Sequence, residues 1–320
     1  MLTPSPHTHT AIDRKMDSGV EADVCANCGK EASDAVKLKN CNACHLVKYC
    51  CVACQKTHRK QHKKACKKRA AELKDERLYS QGQERPEGDF CPICMLAIPL
   101  PMPEHSAFMV CCLQTVCHGC DWAAQKRGMI DCPFCREPRP RDDKPALSLV
   151  KKRVAAKDPK AIEHLATKYF FGRMGLKRNL SRAIKLWEEA AELGSIEAHF
   201  KLANRYRYGQ GVVQDMAKAV DHMEKAAMKG HVASRCNLGD LEFRNGNKER
   251  ALRHLLIAAK MGDKLAVANV QSMFVEGLAT KQQYADALKG YQDAVEEMKS
   301  PERDEAQAIS FKQHMTRRQR

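Results

Sequence analysis

Aromatic side chains are scarce in this chain, at 6% of 320 residues with two Trp. No run of rings interleaves with basic residues, the pattern by which single-stranded nucleic acid is stacked and held. No apolar stretch approaches the roughly 20 residues of a membrane-spanning helix, and the most apolar window, MLAIPLPM, is interrupted by prolines. The opening segment, MLTPSPHTHTAIDRKMDSG, lacks the basic start and apolar block of a secretory signal. An intracellular, reducing compartment, cytoplasm or nucleus, is therefore expected, with no membrane partner. Cysteine is almost missing from the second half: of 17, all but Cys236 lie between Cys25 and Cys135.

What is present divides the chain into two chemistries. Lys and Arg number 55 against 39 Asp and Glu, a basic and helix-friendly composition that favours acidic partners without specifying a fold. In a reducing compartment, clustered thiols are better explained by metal than by disulfides. Short spacings group the first cluster as Cys25/Cys28, Cys41/Cys44, Cys50/Cys54 and His62/Cys66. Zinc takes four N or S ligands in a tetrahedron, and a two-residue gap lets both thiolates of a knuckle reach one ion. The two i,i+4 pairs fall on one face of a helical turn. Two closed sites follow, although spacing leaves three ways of matching the pairs. Cys51 is surplus.

The order CxxC, CxxC, CxxxC, HxxxC, with Tyr49-Cys50 and Cys54-Gln55, resembles a MYND zinc finger. The resemblance implies that alternate pairs share an ion: Cys25, Cys28, Cys50 and Cys54 hold one zinc, and Cys41, Cys44, His62 and Cys66 the other. It also implies a docking module, often for proline-containing peptides, although Arg59 stands where an aromatic residue commonly lines the groove. The lysines of KTHRKQHKKACKKR read first as the solvated face of a ligand-bearing helix and second as a nuclear-localisation or nucleic-acid patch.

After the charged segment KDERLYSQGQERPEGD come three more knuckles, Cys91/Cys94, Cys117/Cys120 and Cys132/Cys135. Their order resembles a RING finger, whose first and third pairs share one zinc and whose second and fourth share the other. Gln114 stands where a RING histidine would be, and Gln is a poor zinc ligand. Either Cys111 with Cys112, or His105 with Cys112, completes the second pair; Cys111 leaves no thiol idle. His118 reads as a surface residue. The resemblance further implies docking of a ubiquitin-conjugating enzyme through Ile93, Trp122 and Pro133, with Arg136 acting on the charged complex. A small zinc finger also needs an apolar residue and a tight turn at such places, so this pattern alone does not carry the activity.

The cysteine-poor half repeats. Ala183, Ala219, Ala251 and Ala287 recur, each followed seven places later by Ala190, Ala226, Ala258 or Ala294. Before them stand Tyr169/Gly172, Tyr206/Gly209, Phe243/Gly246 and Phe274/Gly277. Each unit reads as helix, glycine-bearing loop, helix, stacked as an α-solenoid. The phrases YGQGVVQDMAKAVDHMEKAAMKGHVAS and NLSRAIKLWEEAAELGSIEAHFKLA resemble Sel-one-like repeats, relatives of the tetratricopeptide repeat. Trp187, Tyr169 and Tyr206 read as core.

The expected fold is multidomain: two small zinc-stabilised α+β fingers followed by an all-α solenoid of helix-pair repeats. The expected boundaries are a disordered N-terminus at 1–24, a MYND-type finger at 25–66 and a basic helix end with charged linker at 67–89. A RING-like finger at 90–136, a linker at 137–159, repeats at 160–300 and a capping helix or basic tail at 301–320 complete the order. The combination of modules resembles a group of algal proteins. No nucleotide loop, methyltransferase signature or nucleophile–base pairing is legible. The leading expectation is a protein-interaction adaptor binding four zinc ions. A RING-type ubiquitin ligase whose repeats recruit substrate is the rival, and a nucleic-acid-associated regulator is a weaker third.

Overall fold

The structure, a computed structural model, describes residues 23–318, which form two compact units divided between Asp75 and Glu76. Most of the expected disordered N-terminus, residues 1–22, lies outside the described residues.

The first unit has little apolar material to bury. Its centre is Cys25, Cys41, Cys44 and Tyr49, with Leu38 and Val47 packed against them. Two short strands, β1 (Lys39–Asn40) and β2 (Lys48–Tyr49), pair antiparallel with Lys39 opposite Tyr49. Val24 already bridges to Glu31, so the ordered finger begins just before its first ligand. Helix α1 (Val52–Ser80) starts beside Cys51, whose Sγ accepts the Cys54 N–H at 3.5 Å. The surplus thiol thus serves a free helix-terminal donor. Lys56, Lys60, Lys63, Lys64, Lys67 and Lys68 are all exposed, the solvated-face arrangement.

The second unit opens on the last turn of α1. Leu78 is buried, and the ring of Tyr79 lies 4.9 Å from that of His254. The fully buried Arg235 donates to the carbonyls of Leu78, at 2.7 Å, and Gln81. Helix C-termini present unpaired carbonyls and a partial negative charge, which a guanidinium fork satisfies. Residues 81–86, expected as linker, pack backbone to backbone on residues 227–230. A Cβ on Gly82 would overlap Ala227 O, and one on Gly230 would overlap Glu84 O. Both glycines have positive φ, at 60° and 86°, so their lack of a side chain permits both the turn and the approach.

A second finger follows. Its hairpin, β3 (Ser106–Met109) and β4 (Gln114–Cys117), pairs Ser106 with Cys117 and Met109 with Gln114, and leads into α2 (His118–Lys126). Ile98, Met109 and Val116 pack among Cys91, Cys117 and Cys132. The ring of Phe108 stacks on that of His164 at 4.6 Å.

Residues 137–159, also expected as linker, contain α3 (Asp143–Ala155), whose Val150 is fully buried. Its apolar spacing, Ala146 and Val150, is one helical turn and makes it a packing element. Four helix pairs follow: α4 (Pro159–Phe171) with α5 (Leu180–Glu192), α6 (Ile196–Tyr208) with α7 (Met216–Ala227), α8 (Val232–Arg244) with α9 (Lys248–Lys260), and α10 (Lys264–Val275) with α11 (Lys281–Glu297). Ala183, Ala219, Ala251 and Ala287 are fully buried on the second helix of each pair, where small side chains let paired helices close. Trp187 is buried with Phe170 and Ile184, and Tyr169 and Tyr206 pack on that cluster, as core. Side-chain caps from Asp158, Asn179, Ser195, Asp215, His231, Asp263 and Thr280 start these helices. The segment expected as capping helix or basic tail is α12 (Pro301–Arg318), which packs against α2 of the finger.

Candidate metal centres

Four quartets of donors come together, the ligating atoms of each within 4.8 Å of one another. They are Cys25, Cys28, Cys50 and Cys54; Cys41, Cys44, His62 and Cys66; Cys91, Cys94, Cys117 and Cys120; and Cys111, Cys112, Cys132 and Cys135. The alternating partition matches the pairing that the two finger resemblances imply, in both clusters.

A recurring turn builds the knuckles. The N–H of Gly29, His45, Met95 and Arg136 each donates at 2.9 Å to the carbonyl of the cysteine four places earlier, respectively Cys25, Cys41, Cys91 and Cys132. All four residues have left-handed backbone, with φ from 57° to 70°. This tight reversal aims two thiols of a CxxC at one point. Only the first uses glycine, so no glycine code marks the other three.

The irregular pair has the same turn with a substituted start. Leu113, at φ 57°, donates its N–H to Met109 O at 2.7 Å, so the buried Met109 stands where a knuckle's first cysteine would. The neighbouring Cys111 brings its Sγ to 3.5 Å from Cys135, while Cys112 lies 3.8 Å from Cys132. His105 is outside every quartet; its carbonyl accepts the N–H of the exposed His118. At the third knuckle, Cys117 caps α2, its Sγ accepting the Cys120 N–H at 3.4 Å.

The donor sets fit zinc. With Zn–S bonds of about 2.3 Å, the edge of a thiolate tetrahedron is about 3.8 Å. The Sγ separations are 3.6 Å for Cys28–Cys50 and Cys50–Cys54, and 3.8 Å for Cys41–Cys66 and Cys94–Cys117. Cys44 Sγ lies 3.1 Å from His62 Nε2. Electrostatics agree. The backbone N–H groups of Cys50, Asn27 and Cys28 hold Cys25 down to about 6. Burial and then the thiols of Cys41 and Cys44 push Cys66 up to about 11. In the third quartet the Cys117 thiol holds Cys91 down, and the Cys117 and Cys91 thiols hold Cys120 up. Four thiolates this close do not ionise together unaided; a dication among them favours that state.

Two supporting groups were not legible in the ligand spacing. His62 stacks on His58, ring centroids 5.7 Å apart at 10°, and His58 Nδ1 lies 3.1 Å from the Tyr49 hydroxyl. In the second finger, Arg139 pairs with Asp121 and donates to Asp131 O at 3.2 Å, tying α2 to the last knuckle. Of the residues implied to dock a conjugating enzyme, Ile93 is 41% exposed and Arg136 is exposed, while Pro133 and Trp122 are half-buried. Trp122 belongs to the helix that meets α12, and its Nε1 is buried.

Comparison with known proteins divides the chain in the same way. Residues 25–66 match the MYND finger, and residues 159–195, 196–231 and 233–263 match the Sel1 repeat. An uncharacterized protein of Neisseria meningitidis serogroup B is 30% identical over 116 residues, which is 36% of this chain and 25% of that protein. Protein sel-1 homolog 2 of Mus musculus is 34% identical over 112 residues, 33% of this chain and 16% of that one. The chain thus spans a quarter or less of the length of these curated relatives. Among solved structures, a Sel1 repeat protein from Oxalobacter formigenes aligns at 23% identity and TM-score 0.44, covering 56% of this chain and 71% of that one. A protective antigen of uropathogenic Escherichia coli with an SLR fold aligns at 30% identity and TM-score 0.42, covering 48% and 33%. No helix among the described residues is long and apolar enough to cross a membrane. The chain carries a MYND zinc finger at residues 25–66 and Sel1 repeats between 159 and 263, with a further cysteine-rich finger between them.

Proposed function

We propose that the protein is an interaction adaptor that holds four zinc ions, one per quartet, and presents its fingers and helical repeats to partner proteins. The observation that carries this reading is that each quartet supplies four protein donors. A tetrahedral site filled by protein has no position left for water or substrate, so the zinc is structural. Docking surfaces are then the finger at 25–66, the finger at 90–136 and the repeats at 160–300, with cytoplasm or nucleus as the place of action. Native mass spectrometry of the full chain should give four zinc ions per chain; a properly folded protein with two or three would overturn this count.

The second reading, a RING-type ubiquitin ligase, is favoured by the exposure of Ile93 on one knuckle and Arg136 after another. An apolar side chain would dock the conjugating enzyme, and a planar donor fork would hold the charged complex. The adaptor reading expects no discharge of ubiquitin from a broad panel of conjugating enzymes. Discharge abolished by Ile93→Ala and slowed by Arg136→Ala, with zinc content unchanged in both, would replace it with the ligase reading.

A further inference from the structure

The start of α12 reaches the third quartet from two sides. Arg303 is 9% exposed, and its guanidinium donates to Ala97 O at 2.6 Å, Leu96 O at 3.1 Å and Cys94 Sγ at 3.4 Å. A fourth donation, to Met298 O at 2.7 Å, anchors the side chain at the C-terminal end of α11. The backbone of the same residue lies against the other knuckle of that quartet. A Cβ on Gly119, between Cys117 and Cys120, would stand 2.7 Å from Arg303 N and 2.9 Å from Glu302 C. Lys126 at the end of α2 closes the contact with Glu305 at 2.8 Å.

We propose that Arg303 is a positioning residue of the third zinc site, so that the C-terminal helix is a working part of the second finger's metal centre. This rests on zinc being held by Cys91, Cys94, Cys117 and Cys120. A donor on a ligating thiolate draws off its negative charge and fixes the direction of its lone pairs, and the outer partners of metal ligands tune affinity and release. Arg303 does this while satisfying the carbonyls of the two residues that follow Met95 in the same knuckle. Its four donations run in fixed directions that a lysine ammonium does not reproduce. The absence of a side chain at residue 119 is what admits the helix backbone to this position.

The test uses the zinc-loaded full chain and its Arg303→Ala and Arg303→Lys variants. Zinc content is read by native mass spectrometry, and release to a chromogenic chelator is followed in time. In Arg303→Ala, one of the four ions should leave roughly ten to a hundred times faster, with the other three unchanged. Arg303→Lys should recover only part of the loss. A cobalt-substituted chain gives a reading that loss of packing alone does not: the thiolate-to-cobalt charge-transfer band of one site should shift in both variants. Four ions leaving at wild-type rates, with an unshifted band, would overturn the role of Arg303 while leaving zinc at the quartets intact. A wild-type chain holding no metal at the third quartet would overturn the underlying zinc assignment. Should Arg303→Ala fail to fold, as judged by helical circular dichroism, Glu305→Ala loosens the same helix and should speed release of the same ion. Unchanged release in that variant overturns the proposal.

Discussion

Arg235 places its guanidinium, fully buried, 2.7 Å from the carbonyl oxygen of Leu78, and so the last turn of α1 is closed by a side chain from α8. Burial lowers the Arg235 pKa to about 10, still far above neutrality, so the charge persists. Arg235→Met should cost about 1.5–3 kcal/mol, the range for hydrogen bonds to a charged group. The melting of the helical array should fall by roughly 5–10 °C. Arg235→Lys should recover part of this. Equal melting of Arg235→Met and wild type would show that solvent satisfies these carbonyls equally well.

The backbone approach of residues 81–86 to 227–230 predicts intolerance at Gly230. Its φ of 86° and the nearness of Glu84 O leave no room for a methyl group. Gly230→Ala should raise amide exchange across residues 78–86 while leaving the finger at 25–66 unaffected. Protection of 78–86 at wild-type levels would contradict that contact.

Ligand identity in the irregular pair is open to direct substitution. Cys111→Ser and Cys112→Ser should each remove one zinc from the full chain, and His105→Ala should retain all four. His62→Ala should likewise affect one ion, in the first finger, because the stacked His58 has no place in that quartet. Loss of zinc on His105→Ala, with Cys111→Ser retaining it, would reverse the assignment.

Buried histidines of the helical repeats should cost stability on acidification. His199 Nδ1 lies 2.9 Å from His222 Nδ1 on neighbouring helices. Burial and then the neighbouring imidazole hold His199 down to about 4, and burial lowers His222 too. Burial and then Arg235 hold His254 down to about 3. With folded values below the ordinary value of about 6.5, the unfolded chain binds protons first as pH falls. The contribution of these histidines is therefore full above about pH 6.5 and declines towards pH 4. Melting followed by helical circular dichroism should show this slope, and His199→Gln with His222→Gln should flatten it. An unchanged slope in the double variant would assign the loss elsewhere.

Ligand pairs are visible in the sequence because a knuckle is local: the residues that aim two thiols at one point lie within five positions. The alanine period is visible for a related reason, since Ala183 and Ala219 do the same work in successive pairs. Cys111 is harder to read, because Met109 occupies the knuckle's first place and a thioether gives no sign of it. Residues 67–89 read as a basic helix end and charged linker because KDERLYSQGQERPEGD is rich in turn residues and in charges, Arg85 and Asp89 among them. In the structure Arg85 pairs with Asp89 at 3.1 Å and donates to Ile98 O, so these two charges are satisfied within the fold. Arg235 and Arg303 act on groups more than 150 positions away, and no local pattern encodes that.

The reach of Arg303 has a consequence for the order in which the protein is completed. On the ribosome, the four cysteines of the third quartet emerge well before Arg303. At roughly 5–20 residues per second, the interval between Cys120 and Arg303 lasts about ten to forty seconds. During that time the nascent finger has its ligands, while the carbonyls of Leu96 and Ala97 and the thiol of Cys94 face water. On the role proposed for Arg303, metal taken up then would sit in a site that α12 completes on its arrival.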